Sequence, residues 1–293
     1  MKAASQLVRA FGPLTVLSST LLYSQLTIAH SKLDRSIPND KDVIETFGLS
    51  SQISLPKRIN ILVWNLHKGS NDDFATDFVS LGLQKDLVIS QEMYLNPLMR
   101  LVFSSFPYYF YSTATSFCFG KELTRTGVST SGPVLPTKIE FIRTQTVEPI
   151  TNSPKVTLIT RYPIRFTSKE LTVVNIHGIN FVGGDSYRKE MNRIYESLKN
   201  VPSPIIFAGD FNSWSDERNT ILKEMIQKLG LKETGFSPDY RLKFNKHPLD
   251  HFYYTSDIKI VSAKVEEFYQ GSDHKPLEVI VEYSPQTTLA KSH

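Results

Sequence analysis

From Arg58 to about Tyr283, short apolar runs rich in β-branched residues alternate with stretches of helical period. The runs Ile59–Trp64, Leu87–Ser90, Lys138–Arg143, Val156–Thr160, Leu171–Ile176, Ile205–Ala208, His251–Tyr254 and Leu277–Tyr283 predict strands. Helices are predicted over Asp72–Leu81, Ser186–Lys199 and Asp216–Leu229. In the second, Met191, Ile194, Tyr195 and Leu198 recur at three and four residues and form an apolar stripe. In the third, Ile221, Leu222, Met225, Ile226 and Leu229 do the same, and Gly230 follows as a stop signal. Many strands with few helices predict an α+β fold in which two sheets pack face to face with helices outside.

The flanks differ in character. Residues 1–29 hold Lys2 and Arg9, no acid, and an apolar stretch broken by Pro13 and several serines. This order, with small residues at Thr27 and Ala29, predicts a secretory signal cleaved after Ala29, with an N-terminal membrane anchor as the competing reading. Residues 30–57 are polar without a strong period and read as a linker or an arm lying on the domain. The compact domain is placed at 58–284, and 285–293 reads as a frayed tail.

Composition narrows the class. At 293 residues, 40% hydrophobic and 21% charged, the chain is neither disordered nor a coiled coil. A single cysteine, Cys118, excludes an internal disulfide and a cysteine-based zinc site. The net charge of +4 falls to +2 without residues 1–29, so charge permits an anionic substrate without demanding one. The glycine-rich nucleotide fingerprints and HExxH are absent.

The chemistry gathers where strands end. Ile61–Trp64 runs into Asn65, Leu87–Gln91 into Glu92, and Leu171–Ile176 into His177. Pro204–Gly209 runs into Asp210-Phe211-Asn212, and Asp273-His274 precedes the last strand. Asp210 and Asn212, two apart, share a face if the backbone stays extended. Any one of these reads equally as a turn residue; together, at one edge of a sandwich, they would line one cleft. Carboxylates and amides without cysteine make a hard-oxygen set suited to Mg²⁺ or Mn²⁺. Histidines beside carboxylates supply proton transfer and stabilise developing negative charge. Hydrolysis of a phosphate ester needs this combination.

The series Trp64-Asn65, Gln91-Glu92, Asn175-Ile176-His177, Gly209-Asp210-Phe211-Asn212, Leu249-Asp250-His251 and Ser272-Asp273-His274 resembles the endonuclease/exonuclease/phosphatase superfamily, and within it the bacterial YafD-like group. The resemblance implies a DNase I-like four-layer α/β/β/α sandwich of two mixed β-sheets and a divalent-metal-dependent hydrolase of phosphate esters. It implies a metal held by Glu92 with Asn65, and by Asp273. It implies that Asp210 activates water, that Asn212 donates to the phosphate, and that His177 and His274 act at the phosphate, His274 being oriented by Asp250. Thr126–Ser131 matches the family pattern imperfectly. No acidic partner of His177 stands out, Glu148 being a weak candidate, and His251 reads as structural.

The expected substrate is a phosphodiester, nucleic acid first. A phospholipid, a sphingomyelin-like lipid or an inositol phosphate is the alternative, and a non-catalytic binding module is the reading from another class. Lys121, Arg125, Arg143, Arg241, Lys243 and Lys246 could line a nucleic-acid cleft, or simply be solvated. The aromatic run Phe103–Tyr111 could be a membrane-binding hairpin, or a buried strand with its turn. A monomer, secreted or periplasmic, is expected, with membrane-anchored or cytoplasmic placement as the alternative.

Overall fold

The computed structural model describes residues 35–284. The expected leader and its cleavage site, His30, and the tail 285–293 lie outside the described residues. Residues 36–284 belong to one compact unit, which carries all that follows. Its strands are β1 (Ile44–Gly48), β2 (Arg58–Asn65), β3 (Leu87–Tyr94), β4 (Phe110–Phe119), β5 (Thr124–Gly132), β6 (Lys138–Arg143), β7 (Val156–Pro163), β8 (Glu170–His177), β9 (Ile205–Asp210), β10 (Lys232–Glu233), β11 (Lys243–Phe244), β12 (His247–Pro248), β13 (Asp250–Tyr254), β14 (Ile258–Val265) and β15 (Leu277–Tyr283). The helices are α1 (Phe74–Gly82), α2 (Pro97–Ser104), α3 (Gly184–Leu198) and α4 (Asp216–Lys228).

One sheet runs β4-β5-β3-β2-β15-β14, with β1 added on β4; β2 and β3 are parallel and their neighbours antiparallel. The other runs β10-β13-β9-β8-β7-β6, with β8 and β9 parallel. Both sheets are mixed. Between them lie Ile61 and Val63 of β2, Val279 of β15, Val173 of β8, Ile206 of β9 and Phe252 of β13. The alternate residues face outward and are covered by helices. Leu62 and Trp64 pack under α1 and α2 with Phe74, Phe78 and Phe103, while Val174 and Ile176 pack under α3 and α4 with Tyr187, Met191 and Ile221. Four layers result, α/β/β/α. Burial on both faces explains why the central strands read as unbroken apolar runs rather than alternating ones. Each such side chain contributes about 1.5–3 kcal/mol. Two of the four described helices start at a side-chain cap: Asn96 accepts from the Met99 amide ahead of Pro97 at α2, and Ser215 accepts from the Arg218 amide at α4.

Three expectations change. The domain does not begin at Arg58. Val43 and Leu55 are fully buried and β1 pairs with β4, so most of the 30–57 segment is built into the sandwich; its apolar residues are too few and too irregular to show a period. Phe103–Tyr111 is neither a hairpin nor a single strand. It is the end of α2, a loop and the start of β4, with Phe103, Phe106 and Tyr111 buried. Finally, β4, β5 and β14 were not legible as strands. Thr113, Thr115, Ser129, Thr130 and Ser131 are buried in β4 and β5, where small hydroxyl side chains stand in place of the expected aliphatics. Cys118 is buried in the same strand, and burial pushes its thiol pKa up.

Candidate active site

The site grows from sheet register. Asp210, the last residue of β9, stands opposite His177 on β8 and opposite Asp250 on β13. In the other sheet Asn65, the last residue of β2, stands opposite Gln91 on β3. Two buried bridges align the sheets. Asn65 Nδ2 donates to Asp210 Oδ2 at 3.1 Å, and Gln91 Nε2 donates to Asn175 Oδ1 at 2.8 Å. Asn175 Nδ2 in turn donates to the carbonyls of Ser90 and Ser129, at 3.1 and 2.9 Å. A slip by one residue would leave these buried amides unpaired, so the polar groups specify the alignment that the apolar core alone would tolerate loosely.

The backbone is strained around this point. Glu92 has φ of 50° at an irregularity where β3 meets β5 between Ser90 and Met93, which turns its carboxylate out of the ladder and into the cleft. Gly209 has φ of 135°, and a Cβ there would lie 2.2 Å from the Ile176 carbonyl oxygen, so only glycine fits. Asn212 is left-handed with φ of 49°, so Asp210 and Asn212 do not share a face of an extended strand, as the spacing suggested. Instead the Asn212 amide folds back to Asp210 Oδ1 at 2.8 Å, and its side chain donates to the Gly178 carbonyl at 2.9 Å.

His274 is held from three sides. Nδ1 meets Asp250 Oδ2 at 2.7 Å, the backbone amide donates to Ser272 Oγ at 3.2 Å, and the carbonyl accepts from Trp64 Nε1 at 3.0 Å. That leaves Nε2 4.0 Å from Asp210 Oδ2. His177 Nε2 lies 3.6 Å from the same Asp210 oxygen and 3.9 Å from Glu92 Oε1. Asp210 is therefore flanked by two imidazoles in different electrical surroundings. Burial pulls the His274 pKa down, but Asp250, Asp273 and Asp210 overcome it and hold it well above the ordinary value. Burial lowers that of His177, Lys155 and Lys68 lower it further, and it lies well below the ordinary value despite Glu92. The two imidazoles are thus pushed in opposite directions by their surroundings. Burial raises the Asp210 carboxyl to about 7, with Asp250 and Glu92 adding to the push and His274 opposing it. Burial also acts to raise Glu92, yet Lys68, His177 and Lys155 hold it well below the usual carboxylate range.

Two contributors were not legible in the sequence. Lys68 Nζ donates to Glu92 Oε2 from a turn in which His67 and Lys68 are both left-handed, with φ of 46° and 58°. A lysine after a strand gives no sign that it folds back. Arg218, fully buried, donates to the carbonyls of Ile179, Asn212 and Val182 at 2.9, 2.9 and 2.7 Å. Its guanidinium lies 4.5 Å from the Tyr187 ring centroid and 4.4 Å from that of Trp214. It fastens the loop after His177 to the loop after Asp210. Its position in the first turn of α4, outside the apolar stripe, carries no sign of burial.

Other expectations are redistributed. Asp273 sits at the rim, with Oδ1 3.7 Å from His67 Nδ1 and 3.3 Å from Ser272 Oγ. Glu148 is buried but accepts from the Asn180 amide at 2.8 Å and pairs with Lys155, so it steadies the loop after His177 rather than the ring. His251 bonds Glu233 and Ser213, both at 2.8 Å, inside the sheet. Arg125 pairs with Glu45, Arg143 with Asp40, Arg241 and Lys243 with Asp239, and Lys246 with Asp216. These five form no free basic track; the cations beside the cleft are Lys68 and Lys155.

The donor set fits a hard divalent ion. Glu92, Asn65 Oδ1 and Asp210 offer oxygens, and a positive charge, the Lys68 ammonium, already rests on Glu92. Among the described residues no three His, Cys, Asp or Glu gather into an all-protein cage. One or two carboxylates, with water and phosphate completing the shell, is how Mg²⁺ is usually held.

Comparison with known proteins agrees with this architecture. Residues 62–274 match the model of the Endonuclease/Exonuclease/phosphatase family. A UPF0294 protein of Vibrio cholerae is 32% identical over 233 residues, covering 78% of this chain and 80% of that protein. One from Yersinia pseudotuberculosis is 30% identical over 267 residues, covering 90% and 98%. Among solved structures, the endonuclease/exonuclease/phosphatase from Bacteroides vulgatus superposes with a TM-score of 0.59 at 15% identity, covering 78% of this chain and 99% of its own. D. rerio TDP2 complexed with single strand DNA product superposes at 0.58 and 15%, covering 77% and 99%. On the match over residues 62–274 and these relatives, the chain belongs to the endonuclease/exonuclease/phosphatase family.

Proposed function

We propose that the protein is a Mg²⁺- or Mn²⁺-dependent hydrolase of phosphate esters, acting on phosphodiesters. The observation that carries this reading is the geometry around Asp210, whose Oδ2 has His177 Nε2 at 3.6 Å and His274 Nε2 at 4.0 Å, with His274 Nδ1 held by Asp250 at 2.7 Å. Burial and neighbouring charges push the two imidazoles in opposite directions. Pairs of titratable groups pushed apart by their surroundings divide acid and base roles between them. Asp210, poised near neutrality, takes the proton of the attacking water. His274, locked by Asp250, presents Nε2–H to the charge developing on the phosphate. His177, with Nε2 3.6 Å from Asp210 Oδ2, passes the proton taken by Asp210 on to the leaving oxygen, and the remaining N–H of the Asn212 side chain donates to a phosphate oxygen. Glu92 and Asn65 would hold the metal, with Asp273 acting from the rim; the ion supplies Lewis-acid polarisation of the phosphate and an acidified water.

Nucleic acid is the first substrate to try, because the similar TDP2 structure carries a single-stranded DNA product. Phe103, Phe106 and Tyr111 of the aromatic run are buried, with Tyr108 exposed, which supports nucleic acid ahead of a lipid surface. The test is purified protein with Mg²⁺ against single- and double-stranded DNA, RNA, sphingomyelin and inositol phosphates. Hydrolysis that survives EDTA, or no hydrolysis of any of these, sinks the reading.

A further inference from the structure

The contact between Lys68 and Glu92 has no place in the chemistry described so far. Both side chains are largely buried, 17% and 13% exposed. Both residues are left-handed, Lys68 with φ of 58° and Glu92 with φ of 50°. Non-glycine residues held there are strained and persist only where the surroundings over-determine them. The Lys68 turn is over-determined: the Gly69 amide donates to the Leu66 carbonyl at 2.8 Å, and Gly69 lies so close to the Phe74 ring that a Cβ would meet it at 2.8 Å. Two strained residues therefore face each other at the carboxylate best suited to bind a metal.

We propose that Lys68 is a resident cation that occupies Glu92 until a divalent metal takes the carboxylate, and that the released ammonium then binds a non-bridging oxygen of the substrate phosphate. This rests on the metal-dependent reading above. Charge balance carries it. Lys155 is engaged by Glu148 at 3.4 Å, and His177 stands 3.9 Å from Glu92. Lys68 is the cation in direct contact, through Oε2, and a divalent ion drawing on the Glu92 carboxylate would weaken its hold on the ammonium and repel it. Repulsion from the incoming ion pushes the ammonium off, but its backbone is pinned, so it moves only as far as its flexible stem allows. A phosphate on the metal is the anion within that reach. Lysine suits the part as a compact point charge with three donors. The device keeps a buried carboxylate neutralised before metal arrives and delivers the second positive charge together with the substrate.

The proposal predicts effects of opposite sign from one substitution. In the full chain, Lys68→Met removes the competitor, so Mn²⁺ binding, followed by titration calorimetry or by the loss of the free-ion EPR signal, tightens by about tenfold, the worth of one partly buried ion pair. Inorganic phosphate, titrated into the protein at saturating Mg²⁺, binds about tenfold more weakly to the same variant. A merely structural ion pair would give Mn²⁺ affinity unchanged or weakened in Lys68→Met, and that result overturns the proposal while leaving the metal-dependent reading intact. Absence of Mn²⁺ binding to the wild-type protein and the variant alike overturns both.

A measurement on the unaltered protein guards against a misfolded variant. Acetylation of Lys68 by an amine-reactive ester, read by mass spectrometry, should rise when Mg²⁺ is added and fall again when phosphate follows. No change on adding saturating Mg²⁺ counts equally against the proposal.

Discussion

The two walls of the cleft are held by different physics. On the β8/β9/β13 wall, Asp210, Asn212, His177 and Asp250 are joined by sheet register, and Arg218 ties the outgoing loops through three carbonyl bonds and two ring faces. On the β2/β3 wall, Glu92 stands out of the ladder on a strained backbone and is balanced by a flexible lysine. The first wall is over-connected and the second is balanced by charge. Under the proposed function, rigidity then sits where mutual distances would decide proton transfer, and exchange where a cation would come and go.

The largest effect should come from breaking the rigid wall at its centre. Asp210→Asn is expected to lower kcat by about 10²–10⁴. It should also raise stability at alkaline pH. The folded-state pKa of about 7 lies above the unfolded value of about 3.9, so the folded protein binds this proton more tightly. The stabilisation is full below about pH 3.9 and is lost as pH rises through about 7. Asparagine removes that loss, so the variant should melt about 3–6 °C above wild type at pH 8 and lose that advantage near pH 4. Equal melting differences at both pH values would show that Asp210 is not held with a raised pKa.

His274→Ala should also cost kcat by about 10²–10³, with KM little changed if the ring acts on developing charge. Loss of thermal stability with normal kcat would make it a structural histidine.

Glu92→Gln is next and concerns the exchangeable wall. Mn²⁺ binding by calorimetry should vanish while far-UV circular dichroism stays unchanged, because the amide keeps the shape and loses the charge. Retained Mn²⁺ affinity would move the metal elsewhere.

Arg218→Leu sharpens the contrast without touching any reacting atom. Three carbonyls lose their donor in a buried place, so stability should fall by about 2–4 kcal/mol by denaturant unfolding. At temperatures where the variant is folded, kcat should drop more than Mn²⁺ affinity, since the loops it ties belong to the proton-transfer wall. Equal loss of both would mean that the two walls are not separately held. Smallest is Asn175→Ala, which removes one of the two bridges between the sheets; about 1–3 kcal/mol of stability should go, measured by urea unfolding.

Part of this protein is written in its sequence. Apolar runs such as Leu171–Ile176 and Ile205–Ala208 announce strands buried on both faces, and the stripe Met191, Ile194, Leu198 announces the helix that covers one of them. The same runs show where the polar groups emerge, so Asn65, Glu92, His177 and Asp210 could be named as one set before their distances were known, because a strand carries its last side chain to the edge of the sheet. Local pattern says nothing about residues whose role depends on a partner far along the chain. The hydroxyl-rich strands β4 and β5 gain their burial only by lying between other strands, and residues 44–48 become a strand only because β4 offers an edge. Lys68 meets Glu92 across 24 positions, and Arg218 meets Ile179 across 39. The opposed shifts of His177 and His274 come from burial and from neighbours brought in by both sheets. The periodic signal determined the layers and nominated the site, since period is a property of neighbouring residues. Only the packed structure decided the charge on each group and which wall could move, since both depend on distance through space.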